Sequence, residues 1–192
     1  MHFEQGGVYH IYNQGNNGRR IFLREGHYHH FINKMRQHLL PYGDLLCWCL
    51  MPNHFHWQFY VQNTHLPKKK VSLRQKGTRS ISLNESIGIL LRSYTRGLNK
   101  ELNWSGSLFR QETKAKGGFI DELVTVDHEA FFTEGAYNHI CFNYIHDNPV
   151  KAELVTHPRD WPFSSAVEYT LPEADGLCNK ELAYELGLQF AG

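Results

Sequence analysis

Met51-Pro52-Asn53-His54-Phe55-His56-Trp57 is the stretch from which the rest of the chain can be read. In an extended strand residues two apart share a face, so His54 and His56 present both imidazoles on one side while Phe55 turns to the other. Two imidazoles on one face make half a metal site. The remaining positions would come from elsewhere in the fold, from water or from a substrate oxygen. The chain holds 13 histidines, so a His-x-His triplet also arises among the polar residues of an ordinary half-buried strand. Pro52 and Asn53 break the ladder just before His54, and a strand that opens beyond a turn or bulge is a place where side chains are re-aimed.

Upstream, residues 44–50 are apolar throughout (Leu45, Leu46, Trp48, Leu50) and read as a strand buried on both faces, followed by a second strand over 54–61. Before them Gly7-Val8-Tyr9-His10-Ile11-Tyr12-Asn13 reads as the first strand. Tyr28, Phe31, Ile32, Met35, Leu39 and Leu40 then recur at helical spacing up to Pro41-Tyr42-Gly43. Downstream, Pro67-Lys68-Lys69-Lys70 through Arg74, Lys76 and Arg79 is polar, lacks periodicity and reads as an exposed connector. Ser82-Leu83-Asn84-Glu85 matches a capping box, and Leu83, Ile87, Leu90, Leu91, Tyr94 and Leu98 stripe a second helix to about Leu102. Residues 107–116 alternate well enough for a further strand.

The order β-α-β-β-α-β predicts an α+β fold of the ferredoxin-like kind, an antiparallel sheet with both helices on one face and the first and third strands at its centre. A third helix over 134–148 follows. Tyr144 and Asn148 sit one turn apart on one face of it, so Tyr144 reads either as a core aromatic or as a phenol set beside a carboxamide. Trp161-Pro162-Phe163-Ser164-Ser165 and a short helix over 180–186 read as a cover. At 192 residues the chain is expected to form one domain, with its core over 7–150 and the cover over 151–192.

Hydrophobic content of 41% and charged content of 20%, with mean hydropathy −0.49, exclude a membrane-embedded class. No run of about 18 apolar residues occurs, and the N-terminus lacks a signal-peptide pattern, so a cytoplasmic protein is expected. Cys47, Cys49, Cys141 and Cys178 form no C-x-x-C pair; neither a disulfide nor a structural zinc is expected. The net charge of +1 hides a strong asymmetry: residues 66–116 carry 12 basic and 3 acidic groups, residues 117–192 carry 3 and 13. Such a middle is either a footprint for a polyanion or a solvated loop and helix face, and Arg92, Arg96 and Lys100 repeat along one helix in a row that suits either.

Tyr9-His10-Ile11-Tyr12-Asn13-Gln14-Gly15, Met51-Pro52-Asn53-His54-Phe55-His56, Gly106-Ser107-Leu108-Phe109, Tyr144-Ile145-His146-Asp147-Asn148-Pro149-Val150-Lys151-Ala152 and Trp161-Pro162-Phe163-Ser164-Ser165 together resemble the successive motifs of the single-tyrosine HUH transposases, and within these the REP-associated tyrosine transposases. The resemblance implies that His54 and His56 are metal ligands, Asn148 a third ligand and Tyr144 a nucleophile forming a 5′-phosphotyrosine. It also implies a divalent metal, magnesium or manganese, bound at the scissile phosphate. The partner it implies is single-stranded DNA in a hairpin-forming substrate, the protein standing on the nucleoid; whether it acts as monomer or homodimer stays open. The expected DNA contacts are Arg19, Arg20, Lys68, Lys69, Lys70, Arg92, Arg96, Arg110 and Lys114, with Tyr12 or Trp57 available for base stacking. Three positions depart from the family pattern: Gln14 where arginine is usual, residues 110–114 where a basic and aromatic run is usual, and Glu153 in place of glycine. His146 lies about 200° round the helix from Tyr144 and is not read as the base. Two rivals remain, a metal-dependent phosphodiesterase that activates water and a non-catalytic DNA-binding module.

Overall fold

The computed structural model describes residues 1–67, 80–118, 134–171 and 176–190. Among these, strands β1 (Val8–Gln14), β2 (Gly43–Met51), β3 (His54–Val61) and β6 (Lys114–Gly117) form one antiparallel sheet in the order β2-β3-β1-β6, and β4 (His65–Pro67) pairs with β5 (Ser80–Ser82) in a separate hairpin. The helices are α1 (Glu25–His38), α2 (Leu83–Leu102), α3 (Glu134–Lys151), α4 (Ala166–Thr170) and α5 (Lys180–Glu185). The result is an α+β fold with β1 and β3 as neighbours at the centre of the sheet. Lys68, Lys69 and Lys70 lie outside the described residues.

Alternation along β3 sorts the sheet into two faces. Phe55, Trp57, Phe59 and Val61 join Ile11 of β1 and the buried residues of α1 and α2, including Phe31, Met35, Leu90 and Tyr94, in the main core. Trp57 is fully buried and stacks on Phe55 with ring centroids 4.2 Å apart. The expectation that Trp57 is available to stack on a base is therefore wrong. The period of two that sets His54 and His56 side by side also commits Trp57 to the opposite, buried face. On the other face Val8, Leu46, Cys47, Cys49 and Met51 pack against Cys141, Phe142 and Ile145 of α3. Leu46 is the extra residue of a bulge, since the register passes from Leu45↔Phe59 to Cys47↔Gln58.

Local chemistry explains where the helices start and stop. Ser82 Oγ accepts from the Glu85 amide and the Glu85 carboxylate accepts from the Ser82 amide, so the capping box that opens α2 forms in full. Helix α3 runs through Pro149 and ends in a Schellman arrangement, Leu154 N–H donating to Pro149 O (2.9 Å) and Glu153 N–H to Val150 O (2.9 Å). Glu153 takes φ 55° there, the left-handed conformation that favours glycine.

The alternating run from Ser107 forms a regular strand only from Lys114 onward. Before that, β1 holds the segment through a single bridge, Gly15↔Phe109, and through Asn13, whose Nδ2 donates to Arg110 O (3.2 Å) and Thr113 Oγ1 (2.9 Å). Leu108 and Phe109 are buried in the main core, which bends the chain inward where a straight strand would continue along the edge. At the opposite edge, the outer side of β2 is covered: Leu50 N–H donates to Phe163 O, Ser165 N–H to Trp48 O and Asn179 N–H to Leu45 O, each at 2.9 Å. This pairing removes the open edge of a strand that would otherwise invite association.

Candidate functional site

On the α3 face, the register places Tyr12 opposite His56, His10 opposite Gln58 and Gln14 opposite His54. The same register sets Lys114 opposite Tyr12 and Lys116 opposite His10. Cross-strand partners share a face, so two lysines, two histidines and a tyrosine line the sheet beside His54. Helix α3 crosses above them. Its apolar side (Cys141, Phe142, Ile145) is buried against β2, and this rotation brings Tyr144 and Asn148 over the histidines.

Tyr144 is 39% exposed, so it is not a core aromatic. Its ring stands edge-on to the His56 ring, centroids 5.5 Å apart and planes at 87°. His54 and His56 are themselves 5.0 Å apart by ring centroids. Asn148 Nδ2 donates to the Tyr144 carbonyl oxygen at 2.8 Å, which fixes the carboxamide, and the Asn148 side chain also interacts with the His54 ring and the Tyr144 phenol. The structure thus brings together His54, His56, Tyr144 and Asn148 from distant parts of the chain. Among the described residues, no three His, Cys, Asp or Glu side chains gather as a metal cluster; what meets the histidine pair is a carboxamide.

Each imidazole is anchored by its Nδ1. His54 Nδ1 lies 2.6 Å from Asn53 Oδ1 in the hairpin turn, and His56 Nδ1 lies 2.8 Å from His10 Nε2. Burial holds all three histidines below the usual imidazole range, with Asn148 opposing the effect at His54. His10 and His54 reinforce it at His56. At His10 burial, then the Lys116 ammonium, push the value down to about 4. The site therefore presents neutral imidazoles, the form that ligates metal. Burial raises the Tyr144 phenol above its ordinary value, and the Asn148 side chain works against that shift. Lys151, two residues beyond the proline in α3, places its Nζ 5.2 Å from the Tyr144 ring centroid.

His10, Lys116 and Lys151 were not among the residues singled out from sequence. For His10 and Lys116 the signal was the strand pairing, since only the β1/β3 and β1/β6 registers bring them to this face, whereas Lys151 lies two turns beyond Tyr144 on the same helix. His146 faces away, 1% exposed, with Nε2 2.7 Å from Ser165 Oγ in the cover.

The expected phosphate contacts fall in separate places. Arg92, Arg96 and Arg110 line one open groove of about 990 Å³ between α2 and residues 106–113, together with Thr95, Asn99 and Gln111. Arg19 and Arg20 are exposed after the turn that follows β1, Arg19 standing 5.0 Å over the Trp104 ring. Lys114 is exposed on β6 and pairs with Glu112 at 2.8 Å.

No family model matches the chain, and no curated protein matches it. Among solved structures, the chain is similar to one described as a REP-associated tyrosine transposase bound to a REP hairpin. The two share 18% sequence identity with a TM-score of 0.52, over 92% of this chain and 85% of that one. At this identity the likeness is one of fold, and it spans nearly the whole of both chains.

Proposed function

We propose that the protein is a transposase, or a strand-transferring endonuclease derived from one, that cuts single-stranded DNA with Tyr144 as nucleophile. The observation that carries this reading is the half-exposed Tyr144 phenol standing against His56 and Asn148 on the sheet face away from the main core. The strand order, with α1 and α2 packed over one face, is read as ferredoxin-like, and α3 as the added helix that delivers the tyrosine. The fold likeness to a transposase described with a DNA hairpin supports the same reading, and with it a hairpin-forming substrate.

The residues fit a divalent metal. With His54 Nδ1, His56 Nδ1 and Asn148 Nδ2 engaged by Asn53, His10 and the Tyr144 carbonyl, the atoms that would meet an ion are two imidazole Nε2 nitrogens and one carboxamide oxygen. Such a mixed N/O set suits a divalent ion that completes its shell with phosphate or water oxygens, and His54, His56 and Asn148 would hold magnesium or manganese. When bound, the ion supplies charge neutralisation at the scissile phosphate.

The chain's own residues supply the rest. The Tyr144 Oη–P bond forms as the P–O3′ bond breaks; the departing strand leaves as a 3′-hydroxyl after taking up a proton, and the phenol gives its proton to solvent. An ordinary phenol is already protonated at neutral pH; burial shifts Tyr144 further toward that form, and the Asn148 side chain favours the phenolate. Lys151, Lys116 and Lys114 set positive charge around the place where the phosphate would lie. The phosphotyrosine conserves the broken ester, so a later 3′-hydroxyl reseals it without a nucleotide cofactor. Arg92, Arg96 and Arg110 form a groove for the phosphates of the rest of the substrate.

The test is incubation with end-labelled single-stranded hairpin oligonucleotides and magnesium or manganese. The reading requires a fragment ending in a free 3′-hydroxyl and a denaturant-resistant protein adduct on the 5′ end of the other fragment. Cleavage with no adduct would assign the site to a water-activating phosphodiesterase, and binding with no cleavage to a DNA-binding module.

A further inference from the structure

We infer that His10 is a positioning residue for this site, holding His56 in the tautomer that carries its proton on Nδ1 and so leaves Nε2 as a lone pair. The inference rests on the reading of His56 as a ligand given above. His10 sits opposite Gln58, one diagonal step from His56, and bridges that gap with its ring. Its Nε2 lies 2.8 Å from His56 Nδ1, both side chains are buried, and the rings are within 25° of parallel. The contact is closed in by Tyr12, 4.8 Å from His10 and 5.7 Å from His56, and by Tyr144 at 6.2 Å from His10.

One proton lies between the two nitrogens, and its owner decides what His56 can do. If His10 donates, His56 Nδ1 is used as an acceptor and its Nε2 must carry hydrogen, so both nitrogens are closed to a cation. If His56 donates, Nε2 is open. At His54 the choice is already made, because the partner is the Asn53 carboxamide oxygen, which only accepts. His10 as acceptor gives His56 the same polarity, so the two imidazoles present matching Nε2 lone pairs. Carbonyls and carboxylates commonly do this at metal sites; here a third imidazole does it, and it works only while its own proton stays on Nδ1.

The test uses the full chain, metal-free, with ¹⁵N-labelled histidine, and reads the His56 tautomer from long-range ¹H–¹⁵N correlations. Wild type is expected to show His56 protonated on Nδ1. His10→Leu, which offers no acceptor, should move His56 toward the Nε2–H form and weaken Mn²⁺ binding, followed by the free-ion electron paramagnetic resonance signal, by about 10–100-fold. His10→Gln, whose carboxamide oxygen can accept, should restore both. Should His10→Leu fail to fold, the wild-type tautomer and His10→Gln decide alone. An Nε2–H His56 in wild-type protein, or an unchanged tautomer in folded His10→Leu, overturns the inference. If the expected tautomer is found and no Tyr144 adduct forms, the positioning role stands and the proposed chemistry fails; an adduct with His56 in the other tautomer gives the reverse.

Discussion

The Tyr144 and His56 rings meet in a T-shaped contact, with centroids 5.5 Å apart and planes at 87°. The relationship follows from two periodicities meeting across the sheet. The strand period of two fixes His56 on the α3 face, and the helical repeat buries Phe142 and Ile145 while leaving Tyr144 half exposed above the histidines. A phenol placed only for packing would be drawn into the apolar contact with Cys47 and Cys49 that its neighbours make.

Removal of either imidazole should abolish metal-dependent cleavage. His54 is partly buried and bonded only to the adjacent turn and Asn148, so His54→Ala should cost little stability. His56→Ala orphans the buried His10 Nε2 and should cost about 1–3 kcal/mol, read by urea unfolding. Cleavage by either variant at the wild-type metal dependence would remove these residues from the site.

The groove makes a separate prediction. If Arg92, Arg96 and Arg110 meet three phosphates, their joint replacement by alanine should weaken DNA binding about equally across sequences. It should also reduce the slope of log K against log salt by about 2 for a single strand. An unchanged slope would show a solvated surface.

At the end of α3, Glu153 occupies a left-handed position without the freedom of glycine. Glu153→Gly should stabilise the protein by about 1 kcal/mol and raise its melting temperature by about 2–4 °C, measured by thermal unfolding. A lowered midpoint would show that the Glu153 side chain contributes more than its strained backbone costs.

The order of β1, α1, β2, β3 and α2, the capping box at Ser82 and the shared face of His54 and His56 were legible because each depends on local spacing, whereas the β4–β5 hairpin between β3 and α2 was not foreseen. The start of β6 was not, since alternation over residues 107–113 cannot show that Leu108 and Phe109 are drawn into the core or that Asn13 holds Arg110 and Thr113 out of the ladder. Trp57 was misplaced although its parity with Phe55 already assigned it to the buried face. His10 and Lys116 enter the site through pairing with residues far along the chain, and register between distant strands leaves no local pattern. The bulge at Leu46 shows the same limit, because an extra residue in a fully apolar strand does not disturb its composition.

The central claim is tested most directly by locating the covalent bond between protein and DNA. Wild-type protein, single-stranded substrate and magnesium or manganese should give an adduct whose peptide map places the nucleotide on Tyr144. Tyr144→Phe removes one oxygen from a half-exposed ring, should keep stability to within about 1 kcal/mol, and should form no adduct. Tyr137→Phe, two turns up the same helix, should form it as wild type does. An adduct that persists in Tyr144→Phe, or active wild-type protein that cuts without forming one, would contradict the account.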